Sequence, residues 1–272
     1  ASALVSMWVS NTATAMMMLP IALSVVQLIP GDSPGERNFA AALVLAVAYG
    51  ATTGGMGTLI GTPPNALLAA YLSKIYHTEI GFGQWMLLGV PVVLVTLPVV
   101  YLILTRVSFK LDSGELPGFT DLLAREKSGL GRISRTEKIV TAVFALTALG
   151  WIGQPLLARV APLITDTTIG ITGALLLFFI PVNARRGEFV MDWNTANRLP
   201  WSVLLLFGGG LSLAGNIEKH GLSRYLGESC DALQGAPMLL TLCVICFGIL
   251  LLTELTSNTA TAATFLPIAG AV

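Results

Sequence analysis

Long apolar runs, interrupted at a few points by small polar residues, set the expected architecture of this 272-residue chain. Residues 85–105, 139–158, 167–184 and 199–217 carry no charge. Each is near the roughly 20 apolar residues that a helix needs to cross about 30 Å of hydrocarbon, so each is expected to span a membrane. An earlier apolar arm, residues 12–29, contains Pro20 and runs into the breakers Pro30-Gly31-Asp32-Ser33-Pro34-Gly35, which predict a turn. A second helix is expected from Asn38 to Ala51, failing at Thr52-Thr53-Gly54-Gly55-Met56-Gly57-Thr58-Leu59-Ile60-Gly61-Thr62-Pro63-Pro64-Asn65 and resuming over residues 65–76. Glycine lowers the helix bias and interior proline removes a backbone hydrogen bond, so this region reads as a broken transmembrane helix. Unwound backbone at that depth survives only inside protein or against a water-filled cavity, which places free N–H groups near the membrane centre.

Composition agrees. Hydrophobic residues make up 54% of the chain and charged ones only 11%, against about 25% in a soluble domain. Mean hydropathy is +0.77. The expected fold class is therefore an all-α polytopic membrane protein, with lipid as its surroundings. A net charge of +0 gives no basic face for a nucleic-acid partner. No secretory signal is visible, and the chain opens on one motif and stops just after its second copy, so both ends are expected to be truncated. Cys243 and Cys246 form a C-x-x-C inside the uncharged run 232–253, where apolar packing is a better expectation than a metal or redox pair.

The polar connections orient the spans. Residues 106–138 carry seven Lys or Arg against five acids, which makes this loop cytoplasmic by the positive-inside rule. The two following spans return Arg185 and Arg186 to the same side. The charged segment 218–231 is then expected at the outer interface. Three segments follow: residues 1–84, with a hairpin arm and the broken helix; residues 85–198, with transmembrane helices and the cytoplasmic loop; and residues 199–272, with a helix, the interfacial segment and a re-entrant hairpin.

Ser10-Asn11-Thr12-Ala13-Thr14-Ala15 recurs as Ser257-Asn258-Thr259-Ala260-Thr261-Ala262, and both copies lead, three residues later, into Leu-Pro-Ile-Ala. The offset is 257 − 10 = 247 residues, suited to two halves of a duplicated fold rather than a solenoid. With the loop assignment above, the first copy ends an arm rooted in the cytoplasmic face and the second an arm rooted outside. This is an inverted-topology repeat, an arrangement common in secondary transporters. Each copy reads as the tip of a re-entrant helical hairpin. Ser, Asn and Thr are favoured N-caps, so the tip hands over to a helix whose positive dipole end suits an anion. The same side chains, with the last carbonyls of the first arm, offer uncharged oxygens that suit a hard alkali cation. A single Ser-Asn-Thr is more often interhelical glue; its duplication beside a glycine and proline break favours binding. Glu254 is an intramembrane acid by this mapping, with a structural role in the hairpin an equal alternative. His77 and His220 fall in outer loops without companion ligands, and Gly208-Gly209-Gly210 is expected to serve close helix packing.

The paired Ser-Asn-Thr motifs, Gly61-Thr62-Pro63-Pro64-Asn65 and Phe207-Gly208-Gly209-Gly210 followed by Gly221-Leu222-Ser223 resemble the divalent-anion sodium symporter family of di- and tricarboxylate carriers. The resemblance covers the whole chain. It implies that Asn11, Thr12, Asn258 and Thr259 hold substrate carboxylates, with Thr62 and Pro63 beside them. It further implies one sodium site at Ser6, Ser10, Asn11 and Gly61, and a second at Thr253, Thr256 and Asn258. The counterpart of 61–65 in the second half should lie beyond Val272. The resemblance also implies a homodimer in the plasma (inner) membrane, an elevator-like mechanism, sodium as coupling ion and no organic cofactor. The expected function is sodium-coupled transport of small dicarboxylates such as succinate, malate or fumarate. Alternatives are a sulfate or tricarboxylate carrier, a sodium-independent exchanger, or, outside carriers, a channel, which would need a continuous polar path. No His, Asp or Cys constellation supports an enzyme.

Overall fold

A computed structural model of the chain describes residues 1–28, 33–111, 124, 132–183, 187–199, 201–221, 225 and 237–270. Most of the charged segments 106–138 and 218–231, together with Arg185, Arg186 and Leu222-Ser223, lie outside the described residues. The chain divides into two compact units: Ala1–Thr62 with Gly81–Arg198, and Pro63–Ile80 with Leu199–Val272.

In the first unit a short helix α1 (Ser2–Ser6) turns into α2 (Asn11–Val26), and both pack on α3 (Pro34–Gly55). Ser33 opens α3 through a capping box: its hydroxyl accepts the Glu36 N–H at 3.1 Å and the Glu36 carboxylate accepts the Ser33 N–H at 3.1 Å. Pro34 takes the first helical position, where its missing N–H is harmless. Of the turn expected over residues 30–35, residues 30–32 lie outside the described residues, and Ser33 caps a helix that Pro34 and Gly35 begin. At its other end α3 runs through Thr52, Thr53, Gly54 and Gly55, four residues past the expected failure point. These glycines are interfacial: a Cβ on Gly54 would collide with the Ala3 backbone, and one on Gly55 with the Asn11 side chain. Glycine here admits close packing without ending the helix.

Beyond the break, α5 (Phe82–Leu102) continues into a π-helical turn (Ile103–Ser108), and α6 (Arg135–Val160) pairs with α7 (Asp166–Phe179). The α5 region has mean hydropathy 2.6, and Leu87, Leu88, Leu94 and Val95 are exposed, as helix faces meeting lipid require. Helix α7 stops at Phe179, short of the expected 184. Ile180, preceding a proline, takes an extended conformation (ψ 115°), and Pro181–Asn183 (β1) pairs antiparallel with Glu188–Phe189 (β2). Asp192 then caps the short α8 (Trp193–Ala196); the Thr195 side chain and its N–H hold the Asp192 carboxyl below its ordinary value.

An aromatic layer ties these helices together. Trp8 and Phe82 stack at 6.0 Å, Phe82 and Trp151 at 5.0 Å, and Trp8 meets Phe144 edge-on at 5.3 Å. Asp166 anchors the layer. Its Oδ2 accepts the Phe82 N–H at 2.8 Å, and its backbone carbonyl accepts the Trp151 indole N–H at 2.8 Å.

The second unit holds α4 (Pro63–Tyr76), α9 (Trp201–Lys219), α10 (Met238–Thr253) and α11 (Asn258–Ala269). Helix α4 resumes at Pro63, two residues earlier than expected, again with proline tolerated in the first turn. It ends at His77, whose φ of 53° lies in the left-handed region. Helix α11 packs on α4, α9 and α10: the Tyr76 hydroxyl donates to the Gly270 carbonyl at 2.7 Å, and a Cβ on Gly210 would lie 2.8 Å from that of Ala263. Gly210 therefore serves close packing, whereas Gly208 and Gly209 face open space. Cys243 and Cys246 are free and exposed on α10 rather than packed.

Candidate functional site

The first unit builds an oxygen cluster where the α1–α2 turn meets the break that follows α3. Helix α1 ends at Ser6, and after a short turn Ser10 starts α2 as N-cap, accepting the Ala13 N–H at 3.3 Å. Across the turn the fully buried Ser6 hydroxyl donates to Asn11 Oδ1 at 2.7 Å. The Asn11 amide lies against Gly55. Gly61 completes the wall: a Cβ there would stand 2.9 Å from the Ser6 carbonyl oxygen and 2.5 Å from that of Gly55. Uncharged oxygens of Ser6, Asn11 and Gly55 thus gather beside Gly61, a donor set of the kind hard cations use.

Four further contacts hold the break in place. The Trp85 indole donates to the Met56 carbonyl at 3.0 Å, and Gly89 lets α5 pass close to Met56 and Gly57. The Thr58 hydroxyl donates to the Met7 carbonyl and accepts the Gly61 N–H at 3.1 Å. Gly55 and Thr58 escaped the sequence reading. Gly55 was hidden in a run read as unwound, and Thr58 gave no separate signal.

The second unit repeats three bonds of the turn at the offset of 247, while the Thr14 hydroxyl donates to the Val9 carbonyl at 3.5 Å and its counterpart on Thr261 pairs with the Thr256 hydroxyl. Thr253 Oγ1 donates to Asn258 Oδ1 at 2.5 Å, as Ser6 does to Asn11. Ser257 accepts the Ala260 N–H at 3.1 Å, as Ser10 does that of Ala13. The Thr261 N–H donates to the Ser257 carbonyl at 2.9 Å, as Thr14 does to Ser10 at 2.9 Å. Even the residues closing the preceding helices correspond: Met7 and Glu254 both cap in the right-handed helical region. Thr256 accompanies this turn, its hydroxyl 2.5 Å from that of Thr261 and 3.1 Å from the Leu252 carbonyl. Glu254 is exposed at the end of α10.

Of the residues singled out from sequence, Ser6, Asn11 and Gly61 come together in the first unit, and Thr253 and Asn258 in the second. The Ser10 side chain is committed to capping, and Thr12 is exposed beside it. Thr259 sits in the first turn of α11, half-buried. Thr62 closes the break in the first unit and Pro63 opens α4 in the second.

A family model described as "Citrate transporter" (CitMHS) matches residues 1–272. The chain belongs to this citrate transporter family. It is also 42% identical, over 98% of its length, to the "Sodium-dependent dicarboxylate transporter SdcS" of Staphylococcus saprophyticus, and 41% identical over the same share to the protein of that name from Staphylococcus aureus strain USA300. Both alignments cover 54% of the relative, so the chain spans about half the length of the curated relatives it matches. The divalent-anion sodium symporter resemblance agrees with these matches. Together with the apolar helices Pro34–Gly55, Phe82–Ser108 and Arg135–Val160, each long enough to cross a bilayer, family membership makes this an integral membrane, all-α protein.

Proposed function

We propose that the full-length protein is a sodium-coupled secondary carrier of small dicarboxylates of the succinate, malate and fumarate type, and not an enzyme. The observation that carries this reading is the duplicated turn: a hydroxyl of Ser6 or Thr253 paired with the amide oxygen of Asn11 or Asn258 directly before a helix N-terminus. The names of the SdcS relatives supply the ion and the substrate class.

At each tip the chemistry divides by atom. Oxygens of Ser6, Asn11 and Gly55, with Gly61 and Ser10 alongside, serve one sodium ion, and those of Thr253, Thr256 and Asn258 serve another. The first N–H groups of α2 and α11, with Asn11, Thr12, Asn258 and Thr259, face carboxylate groups, and Thr62 and Pro63 border them. A helix N-terminus attracts an anion, and a cation a few ångströms away lowers the cost of moving that anion into low dielectric. Sodium and substrate therefore favour each other's binding, which is the thermodynamic requirement for symport. Inverted topology of the two repeats, a multi-pass homodimer in the plasma membrane and elevator-like alternating access complete the reading.

The test is uptake of labelled succinate by the full-length protein in proteoliposomes, with an inward sodium gradient or with sodium replaced by potassium. Uptake is expected only with sodium, and unlabelled malate and fumarate should compete. Sodium-independent uptake would remove symport. The description of the matching family model favours a second substrate, citrate. Competition by citrate but not by malate would shift the assignment to tricarboxylates.

A further inference from the structure

Thr58 is completely buried, yet it sits in the irregular stretch between α3 and α4, where a polar side chain has no helix to belong to. Its hydroxyl satisfies one backbone group that the local structure leaves over and reinforces a second, the Gly61 N–H, which also reaches the Thr58 carbonyl at 3.3 Å. It donates to the carbonyl of Met7, which follows the last residue of α1, and it accepts the N–H of Gly61 at 3.1 Å. Chain ends of short helices leave such groups without intrahelical partners, and burying one unpaired is destabilising. Met7 is the immediate neighbour of Ser6, and Gly61 faces the Ser6 and Gly55 carbonyl oxygens. One hydroxyl therefore bridges the two strands of chain that flank the oxygen cluster.

We infer that Thr58 is a positioning residue for the first sodium site: it holds Gly61 against the Ser6–Asn11 turn and so sets sodium affinity without touching the ion. This rests on the sodium reading of that cluster. The γ-methyl has no part in it, so serine should suffice and valine, of the same shape, should not. Because the bridge ties the break to the tip rather than to the helix N-terminus that faces the anion, its loss acts on sodium first. At saturating sodium the substrate affinity is retained.

The experiment uses full-length protein in proteoliposomes and measures two quantities: the sodium concentration for half-maximal succinate uptake, and the succinate KM at saturating sodium. Thr58→Val should raise the first roughly ten-fold while leaving the second within about two-fold, because a lost buried hydrogen-bond bridge acts on that order. Thr58→Ser should restore the sodium requirement. A Thr58→Val sodium curve equal to that of the unmodified protein overturns the inference, as does a serine variant impaired as much as the valine one. A KM that rises in parallel with the sodium requirement overturns it too, since it marks general damage. Should Thr58→Val fail to fold, Thr58→Cys decides, because a thiol is a weaker donor and acceptor: a raised sodium requirement supports the bridge and an unchanged one removes it. Sodium-independent uptake by the unmodified protein would instead remove the sodium reading itself.

Discussion

Gly61→Ala is the perturbation whose effect follows most directly from the geometry. The added Cβ would lie 2.5 Å from the Gly55 carbonyl oxygen, 2.9 Å from that of Ser6 and 3.0 Å from Gly55 Cα. A carbon approaches a carbonyl oxygen comfortably to about 3.3 Å, so roughly 0.8 Å of clearance is missing on the Gly55 side. All three crowding atoms are backbone, and two are the oxygens assigned to the cation, so no flexible side chain can yield. Overpacking of this kind costs about 1–3 kcal/mol. Falling on the proposed sodium site, that predicts a roughly five- to 150-fold loss of sodium affinity. The assay is a sodium titration of succinate uptake by full-length protein, with a melting curve in sodium-free buffer to register any general destabilisation. Gly153→Ala on α6 is the control: its Cβ meets nothing within 4 Å, and alanine in a helix is favoured over glycine by about 0.5–1 kcal/mol. A Gly61→Ala protein with an unshifted sodium curve would show that the oxygens beside Gly61 are not a cation site.

Two other substitutions separate binding from scaffold. Thr253→Val removes the donor of the 2.5 Å bond to Asn258 and should raise the sodium requirement by about ten-fold, measured by the same titration; an unchanged value would make the second turn mere packing. Asp166→Ala leaves the Phe82 N–H without its acceptor and should lower stability by about 1–3 kcal/mol in denaturation, whereas Asp166→Asn keeps that acceptor and replaces an Oδ1 that is buried without a partner among the described residues, so it should be neutral or stabilising.

The two Ser-Asn-Thr turns were legible because their chemistry is written in contiguous residues. A hexapeptide repeated at a constant offset carries its capping bonds with it, and both turns close in the same way. The break was legible in existence but not in extent. Gly54 and Gly55 lower helix propensity, and only the close approach of Ala3 and Asn11 explains why the chain spends two glycines inside a helix. Proline misled in both directions, since Pro34 and Pro63 begin helices while Pro181 ends one through its effect on Ile180. Thr58 could not be singled out, because its partners Met7 and Gly61 contribute backbone atoms, which no residue type announces. The Trp8, Phe82, Phe144 and Trp151 layer was invisible for a related reason: its members are scattered over more than a hundred residues and meet only in the folded chain.

Sodium-dependent thermal stabilisation of the full-length protein, compared for the unmodified form, Asn11→Ala, Asn258→Ala and the double substitution, tests most directly whether each duplicated turn holds a cation. Ligands that bind only the native state raise the melting temperature, so the single variants should each lose part of the sodium effect and the double variant all of it, while potassium does nothing in any of them. A double variant that sodium still stabilises as strongly as the unmodified protein would place the cation elsewhere and contradict the account.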